Sequence, residues 1–405
     1  MKFTRITPLV LAAAGSMVAS ACGSSASANS GGSTSTSGAT KSPINIMGSA
    51  SLSGSNSPFP STKGGWLAAV AEINASGGIN GHPLNLQVCD TQGDPNISQS
   101  CAEKAVSNGD VAVLATSNTL STAQIPTLQK AGIAYLGADV SDSLDATSSV
   151  SFPLASGAYT LNYADGEVAK LIGCKKASGV VIQAPNITGV LESSLKSSTE
   201  AAGLTYTGTV LAPVTQTNFT SIVAAVQAQG ADCILPAIDQ PQNTALLTAW
   251  KQSGYNMKIV DPGIILAPLD TIASVASGIY VFSPVRLATD PAVASTVAAV
   301  KKWAPGTAID TRSIEGYATV QLLAQALKSI TGGQYTAKTV LAALGTLNNA
   351  SSGNVLPPIT TTHDNPNSKF ARVFNADIVI YKVGANGSTQ AVSGWEPIPG
   401  VGTAS

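Results

Sequence analysis

The spacing of apolar positions first becomes informative at residues 64–89. Trp66, Ala69, Val70 and Ile73 recur at i, i+3, i+4 and i+7, which predicts one buried helical stripe. Residues 74–78 stop that helix, because Gly77 and Gly78 can take the left-handed conformation a helix end requires. Pro83 forbids a restart. Leu84, Leu86 and Val88 then alternate with Asn85 and Gln87, which is the period of a strand.

The same pattern recurs along the chain. Residues 44–47 read as a preceding strand and 52–55 as the loop into the first helix. Helices are expected at 96–108 and 121–131, the second capped by Ser121, and strands at 111–115 and 133–136. A second series begins near Tyr159 with a helix to Ile172. Its strands are expected at 179–183, 206–210, 232–236, 258–260 and 279–282, and its helices at 189–202, 219–229, 242–253 and 269–276. Strands alternating with helices at this spacing predict an α/β fold of two doubly wound lobes, each a parallel sheet covered on both faces. Later helices at 292–303, 314–330 and 337–344 have no strands of their own and are expected to return over the first lobe. A hairpin, 377–383 and 389–395, closes the pattern through the turn 384–387.

The amino terminus stands apart from this alternation. Lys2 and Arg5 precede an apolar run at 9–19, and small residues lead to Cys22, which reads as a signal peptide over 1–21. That run is shorter than the roughly 18 apolar residues that span a bilayer. Its end resembles a bacterial lipobox, with Ala19 where Leu is usual, which implies lipidation of Cys22. Residues 23–41 are nearly all Ser, Gly, Thr and Ala, a composition that behaves as a flexible tether. The body from 43 onward, about 360 residues, exceeds one small core and suggests two domains.

Charge adds exclusions. Only 11% of residues are charged, against a usual ~25%. Loss of Lys2 and Arg5 would take the net charge from −1 to −3. Lys175-Lys176 and Lys301-Lys302 are the densest basic groups, which disfavours nucleic acid as a partner. Cys22 aside, four cysteines remain and allow three pairings. Export permits disulfides. Cys89 with Cys101 and Cys174 with Cys233 is the favoured pairing, with four free thiols as the alternative. Their spacing is no metal signature, and no metal or cofactor is expected.

Residues 72–83, Glu-Ile-Asn-Ala-Ser-Gly-Gly-Ile-Asn-Gly-His-Pro, followed by Cys-Asp-Thr-Gln-Gly-Asp-Pro at 89–95, resemble the branched-chain amino-acid class of ABC-transporter substrate-binding proteins. The resemblance covers roughly 44–383 and implies the type I periplasmic-binding fold, with three crossing strands at a hinge and a ligand closed between the lobes. By analogy the crossings fall at 152–159, 283–289 and 344–357. Lobe 1 would then comprise 43–155 and 287–345, and lobe 2 156–286 and 346–395. Residues 22–42 would be anchor and tether, and 396–405 a tail.

In open α/β sheets ligands sit outside the carboxyl ends of strands. The loop 116–121 follows a strand and opens a helix, so its amides and hydroxyls could hold a carboxylate. The resemblance carries ligand contacts onto Asn118, Thr119, Asp139 and Ser141 in lobe 1, with Asp139 either facing an ammonium or standing as a solvated loop acid. In lobe 2 the matching loops hold Asn186 and Thr188, then Asp239 and Gln240, then Asp261. Aromatics that the relatives tend to have at the first two loops are missing, and Gly263 stands about where an acid would be. Phe59 could supply an apolar wall or pack beneath its loop.

These readings imply a monomeric receptor, anchored to the membrane only by lipid, that hands a small polar solute to ABC permease subunits. A ligand sensor signalling to a membrane partner is the alternative. A secreted hydrolase is the rival from another class. It would need His82 or His363 as base, and no Gly-X-Ser-X-Gly elbow or phosphate-binding glycine loop is present.

Overall fold

The computed structural model of the chain describes residues 41–54, 58–116, 120–157, 159–185, 187–262 and 271–402. The expected signal peptide, the tether and Cys22 lie outside the described residues. So do Asn118, Thr119, Asn186 and Gly263.

The first lobe is wound on β1 (Ile44–Ala50), α1 (Pro60–Ala75), β2 (Leu84–Asp90), α2 (Pro95–Ser107), β3 (Ala112–Leu114), α3 (Ser121–Ala131), β4 (Ala134–Leu136), β5 (Asp139–Val140), α4 (Ser143–Thr147), β6 (Ser151–Phe152) and β7 (Ala155–Ser156). Its sheet has the parallel order β2-β1-β3-β4-β6. Strand periodicity sends neighbouring residues to opposite cores. Ile46 and Leu114 join one apolar cluster with Trp66, Ala69 and Ile73, whereas Met47 and Val113 join a second with Ala105, Ile125 and Leu128. Gly77 and Gly78 have φ of 95° and 73°, so the expected stop after α1 is made by left-handed glycines. A Cβ on Gly78 would strike the His82 carbonyl.

The second lobe follows the same logic over α5 (Asp165–Leu171), β8 (Lys176–Gln183), α6 (Thr188–Ala201), β9 (Thr205–Pro213), α7 (Thr220–Ala228), β10 (Cys233–Ala237), α8 (Gln240–Ser253), β11 (Lys258–Ile259), α9 (Ala273–Ala276) and β12 (Tyr280–Ser283). Strands β11-β10-β8-β9 are parallel. A parallel bridge from Val260 to Tyr280 continues them into β12, which pairs antiparallel with β13 (Asp377–Val383) and through it with β14 (Thr389–Pro397). Val180, Ile234 and Ile259 face one core; Val181, Leu235 and Val260 face the other.

Helices α10 (Ala294–Trp303), α11 (Thr311–Lys328) and α12 (Ala337–Leu344) return to the first lobe, placing Val300, Leu323 and Val340 in the core of Trp66. Both favoured disulfides form, Cys89–Cys101 and Cys174–Cys233, with Cα atoms 5.8 and 6.0 Å apart. The first ties the end of β2 to α2.

Two expectations about the later chain fail. Leu347, Ala350, Val355, Leu356 and Ile359 stay in the first core, and Ala350 pairs with Ile359, so the chain does not cross at 344–357. Segment 347–359 is buried instead in the core it shares with α11 and α12. The three passes meet at Asn375, which is 3% exposed. Its amide donates to the carbonyls of Leu154 and Pro284 at 3.0 and 3.4 Å, and its own carbonyl accepts from Ser156 Oγ at 3.5 Å. Beside it, the Arg372 guanidinium stands 4.5 and 4.6 Å from the rings of Phe152 and Phe374. The segment expected as a tail is also no tail. Ile398 and Val401 are buried in the second lobe, and Asn365 Nδ2 holds the carbonyls of Val401 and Gly402 at 3.2 and 2.9 Å.

Candidate functional site

The wall of the first lobe is set by how closely α1 and α11 cross. A Cβ on Gly65 would run into the Ser313 carbonyl, and one on Gly316 into the Thr62 carbonyl. Glycine at both points lets the backbones touch. A reciprocal capping box between Asp310 and Ser313 fixes where α11 starts. Its second residue, Arg312, therefore lies beside the loop that leaves the carboxyl end of β1, with its guanidinium carbon 5.0 Å from the Phe59 ring centre.

Asp139 follows the carboxyl end of β4 and pairs through β5 with β7, the first pass toward the second lobe. Its side chain is 6% exposed, and its Oδ2 accepts from Arg312 Nη1 at 2.8 Å. The same nitrogen reaches Glu315 Oε2 at 2.7 Å, with Glu315 1% exposed. Burial, then the neighbouring Asp139, hold the Glu315 carboxyl well above the usual carboxylate range, while Arg312 opposes them. Asp139 is thus no solvated loop acid: a cation of the chain itself is paired to its Oδ2, and its Oδ1 is buried without a hydrogen-bond partner among the described residues.

Ser141 is committed locally. Its amide donates to Asp145 Oδ2 at 3.0 Å and its hydroxyl to the Asp139 carbonyl at 3.2 Å. Ser121 does not cap α3 with its side chain; Leu120 is the cap residue. The Ser121 hydroxyl donates instead to Asp142 and, at 2.9 Å, to Asp145. Burial, reinforced by Asp142, pushes the Asp145 carboxyl up to about 7. Two acids of the chain thus already stand at the start of α3, where an incoming anion was expected to bind.

The wall of the second lobe is made differently. Thr188 accepts from the Ala184 amide at 2.9 Å and donates to the Ile182 carbonyl at 2.8 Å, closing its own loop. Asp239 caps α8 through the Gln242 amide at 3.1 Å, and Asp239 and Gln240 are both exposed. Asp261 is 0% exposed; its amide donates to the Tyr280 carbonyl at 2.9 Å and its Oδ1 accepts from Asn243 Nδ2 at 3.3 Å. Asp165, 1% exposed at the start of α5, is held well above the usual carboxylate range by burial, with the Asp261 charge adding to it. Among the described residues, both Asp165 oxygens and Asn243 Oδ1 have no hydrogen-bond partner.

The structure therefore brings Phe59 and Asp139 together through Arg312, and surrounds Asp261 with Asp165 and Asn243. Sequence reasoning missed Arg312, Glu315, Asp165 and Asn243. Arg312 and Glu315 carried a faint signal: two opposite charges at i, i+3 where an otherwise apolar helix begins.

Other candidates have local explanations. A cavity of about 520 Å³ lies between α1, α10 and α11, lined by Glu72, Tyr317, Gln321 and Gln325 among others. It opens beside the later turns of α1 and α11, away from the strand carboxyl ends. Among the described residues, one group has metal-like spacing: Cys174, Asp232 and Cys233. Its sulfurs form a disulfide, and Asp232 accepts from the amides of Lys175 and Lys176 at 3.0 and 2.9 Å. His82 meets the Ser42 carbonyl at 2.8 Å and the Tyr335 ring, and His363 Nδ1 lies 3.1 Å from Thr362 Oγ1. Among the described residues no helix is long and apolar enough to cross a membrane.

Comparison with solved structures supports this architecture. A branched-chain amino acid ABC transporter periplasmic ligand-binding protein from Burkholderia xenovorans superposes with a TM-score of 0.75 at 14% identity, over 88% of this chain and 96% of that one. A solute-binding protein of an ABC transporter from R. palustris, solved with 4-hydroxybenzoate, gives 0.70 at 19% identity over 89% and 98%. A fatty acid ABC transporter substrate-binding protein from Thermomonospora curvata gives 0.67 at 19% identity over 89% and 94%. No curated protein matches the chain in sequence. The periplasmic binding protein family model matches residues 43–386. With two doubly wound lobes, walls at their strand ends and that match over most of its length, the chain belongs to the periplasmic binding protein family.

Proposed function

We propose that this chain is an extracytoplasmic receptor, tethered through a lipidated Cys22, that closes its two lobes on a small carboxylate-bearing solute and delivers it to the permease of an ABC importer. Buried, strongly interacting polar groups at the strand ends of both lobes, around Asp139 and around Asp261, carry this reading: such groups concentrate where ligands bind. Phe59, Asp139, Ser141, Thr188, Asp239, Gln240 and Asp261 would border the cleft, with Asn118, Thr119 and Asn186 completing it. A carboxylate fits because the similar proteins are named for branched-chain amino acids, 4-hydroxybenzoate and fatty acids, all of which carry one. The ligand would act by preferring the closed arrangement. A thermal-shift screen of the mature chain against amino acids, aliphatic and aromatic acids, amides and sugars tests this, because a ligand of the folded form raises the melting temperature. A concentration-dependent rise with an organic acid or amino acid is expected; silence across the screen would count against it.

A further inference from the structure

The ion pair in the first wall bears on which carboxylates fit. Asp139 stands where the resemblance to branched-chain amino-acid binders places a ligand's ammonium, yet Arg312 Nη1 lies 2.8 Å from its Oδ2 and 2.7 Å from Glu315 Oε2. An ammonium entering beside Asp139 would have to displace a guanidinium that is only 13% exposed, or stand next to it in a poorly screened pocket. Like charges a few ångströms apart in such surroundings repel strongly. Asp139 Oδ1 and Glu315 Oε1 have no hydrogen-bond partner among the described residues, but an incoming cation could reach them only beside that guanidinium.

It offers an anion more. Nη1 is occupied twice, but neither Nε nor Nη2 of Arg312 has a hydrogen-bond partner among the described residues. That edge of a guanidinium matches a carboxylate in bidentate geometry. The Phe59 ring against the guanidinium carbon supplies an apolar surface for the rest of the ligand. The start of α3, the other anion-favouring feature of this wall, is already faced by Asp142 and Asp145.

We propose that this cleft selects organic carboxylates that lack an α-ammonium group, with Arg312 as the anion-recognising side chain and Phe59 as the wall beside it. This selectivity rests on the binding-protein reading above. Matched probe pairs test it: 3-phenylpropionate against phenylalanine and 4-methylpentanoate against leucine, titrated calorimetrically into the mature chain. In at least one pair the acid is expected to bind about tenfold or more tighter than its amino acid. Arg312→Lys, which keeps the charge and loses the fork, should weaken that acid about tenfold with little change in the melting temperature of the unliganded protein. An amino acid binding as tightly as its deaminated partner, or an Arg312→Lys variant with unchanged acid affinity, would overturn the selectivity and leave the receptor standing. Binding confined to uncharged solutes would do the same. Failure of every solute in the broad screen would remove both.

Discussion

The two walls occupy equivalent places, at the carboxyl ends of parallel strands, but manage buried charge in opposite ways. The first lobe pairs its acids with a guanidinium: Arg312 bridges Asp139 and Glu315. The second sets Asp165 near Asp261, whose Oδ1 accepts from the amide of Asn243, and the tension appears as an Asp165 carboxyl pushed well upward. Buried carboxylates without a counter-charge neutralise rather than stay ionised. One lobe thus buries a cation paired with its acids, and the other buries an acid whose pKa is pushed upward.

The largest test of that difference is Arg312→Met. It leaves two buried acids facing each other and should cost about 3–5 kcal/mol at neutral pH, read from urea denaturation. A change under about 1 kcal/mol would mean the pairing is worth no more than a surface bridge.

Asp145 extends the comparison within the first lobe. Its folded pKa is about 7 against the 3.8 of a free aspartate. The folded form therefore holds a proton that the unfolded chain has released. The advantage of the folded state is whole below pH 3.8 and falls as pH rises toward about 7. Asp145→Asn should flatten this slope, which at roughly 1.4 kcal/mol per unit approaches 4 kcal/mol across the window. Parallel slopes in variant and parent would place the titration elsewhere.

In the second wall the shift of Asp165 has the same direction as that of Asp145. Asp165→Asn keeps the shape and removes the charge, so at pH 8 the unliganded protein should gain about 1–3 kcal/mol. A loss there would show that ionised Asp165 has a partner the described residues do not include. The smallest effect is expected from Asp239→Ala, which removes the cap of α8 and should cost about 1 kcal/mol. If it also weakens ligand binding beyond that loss, Asp239 does more than cap.

Local pattern carried much of the scaffold. The stripe of Trp66, Ala69, Val70 and Ile73, the glycine stop after it and the alternation of Leu84, Leu86 and Val88 each depend on neighbours a few residues away, and each appears in the structure. The walls depend on residues far apart in sequence. Asp139 and Arg312 are separated by 173 positions, and nothing in the spacing near either names the other. A charged pair at the start of a helix reads as a solvated face until a second helix closes over it, here through Gly65 and Gly316. The misplaced third crossing has the same origin, since an apolar segment at 344–359 fits either a hinge strand or a core until its partners are known.

The order in which the chain is made bears on how these lobes can form. Phe374 completes the core around Trp66, while Val383, Ile398 and Val401 complete those of the other lobe. A polypeptide extended from its amino end, on the ribosome or through a translocation channel, therefore holds neither core whole until residues 374–401 have emerged. Premature closure of one half is discouraged by connectivity alone.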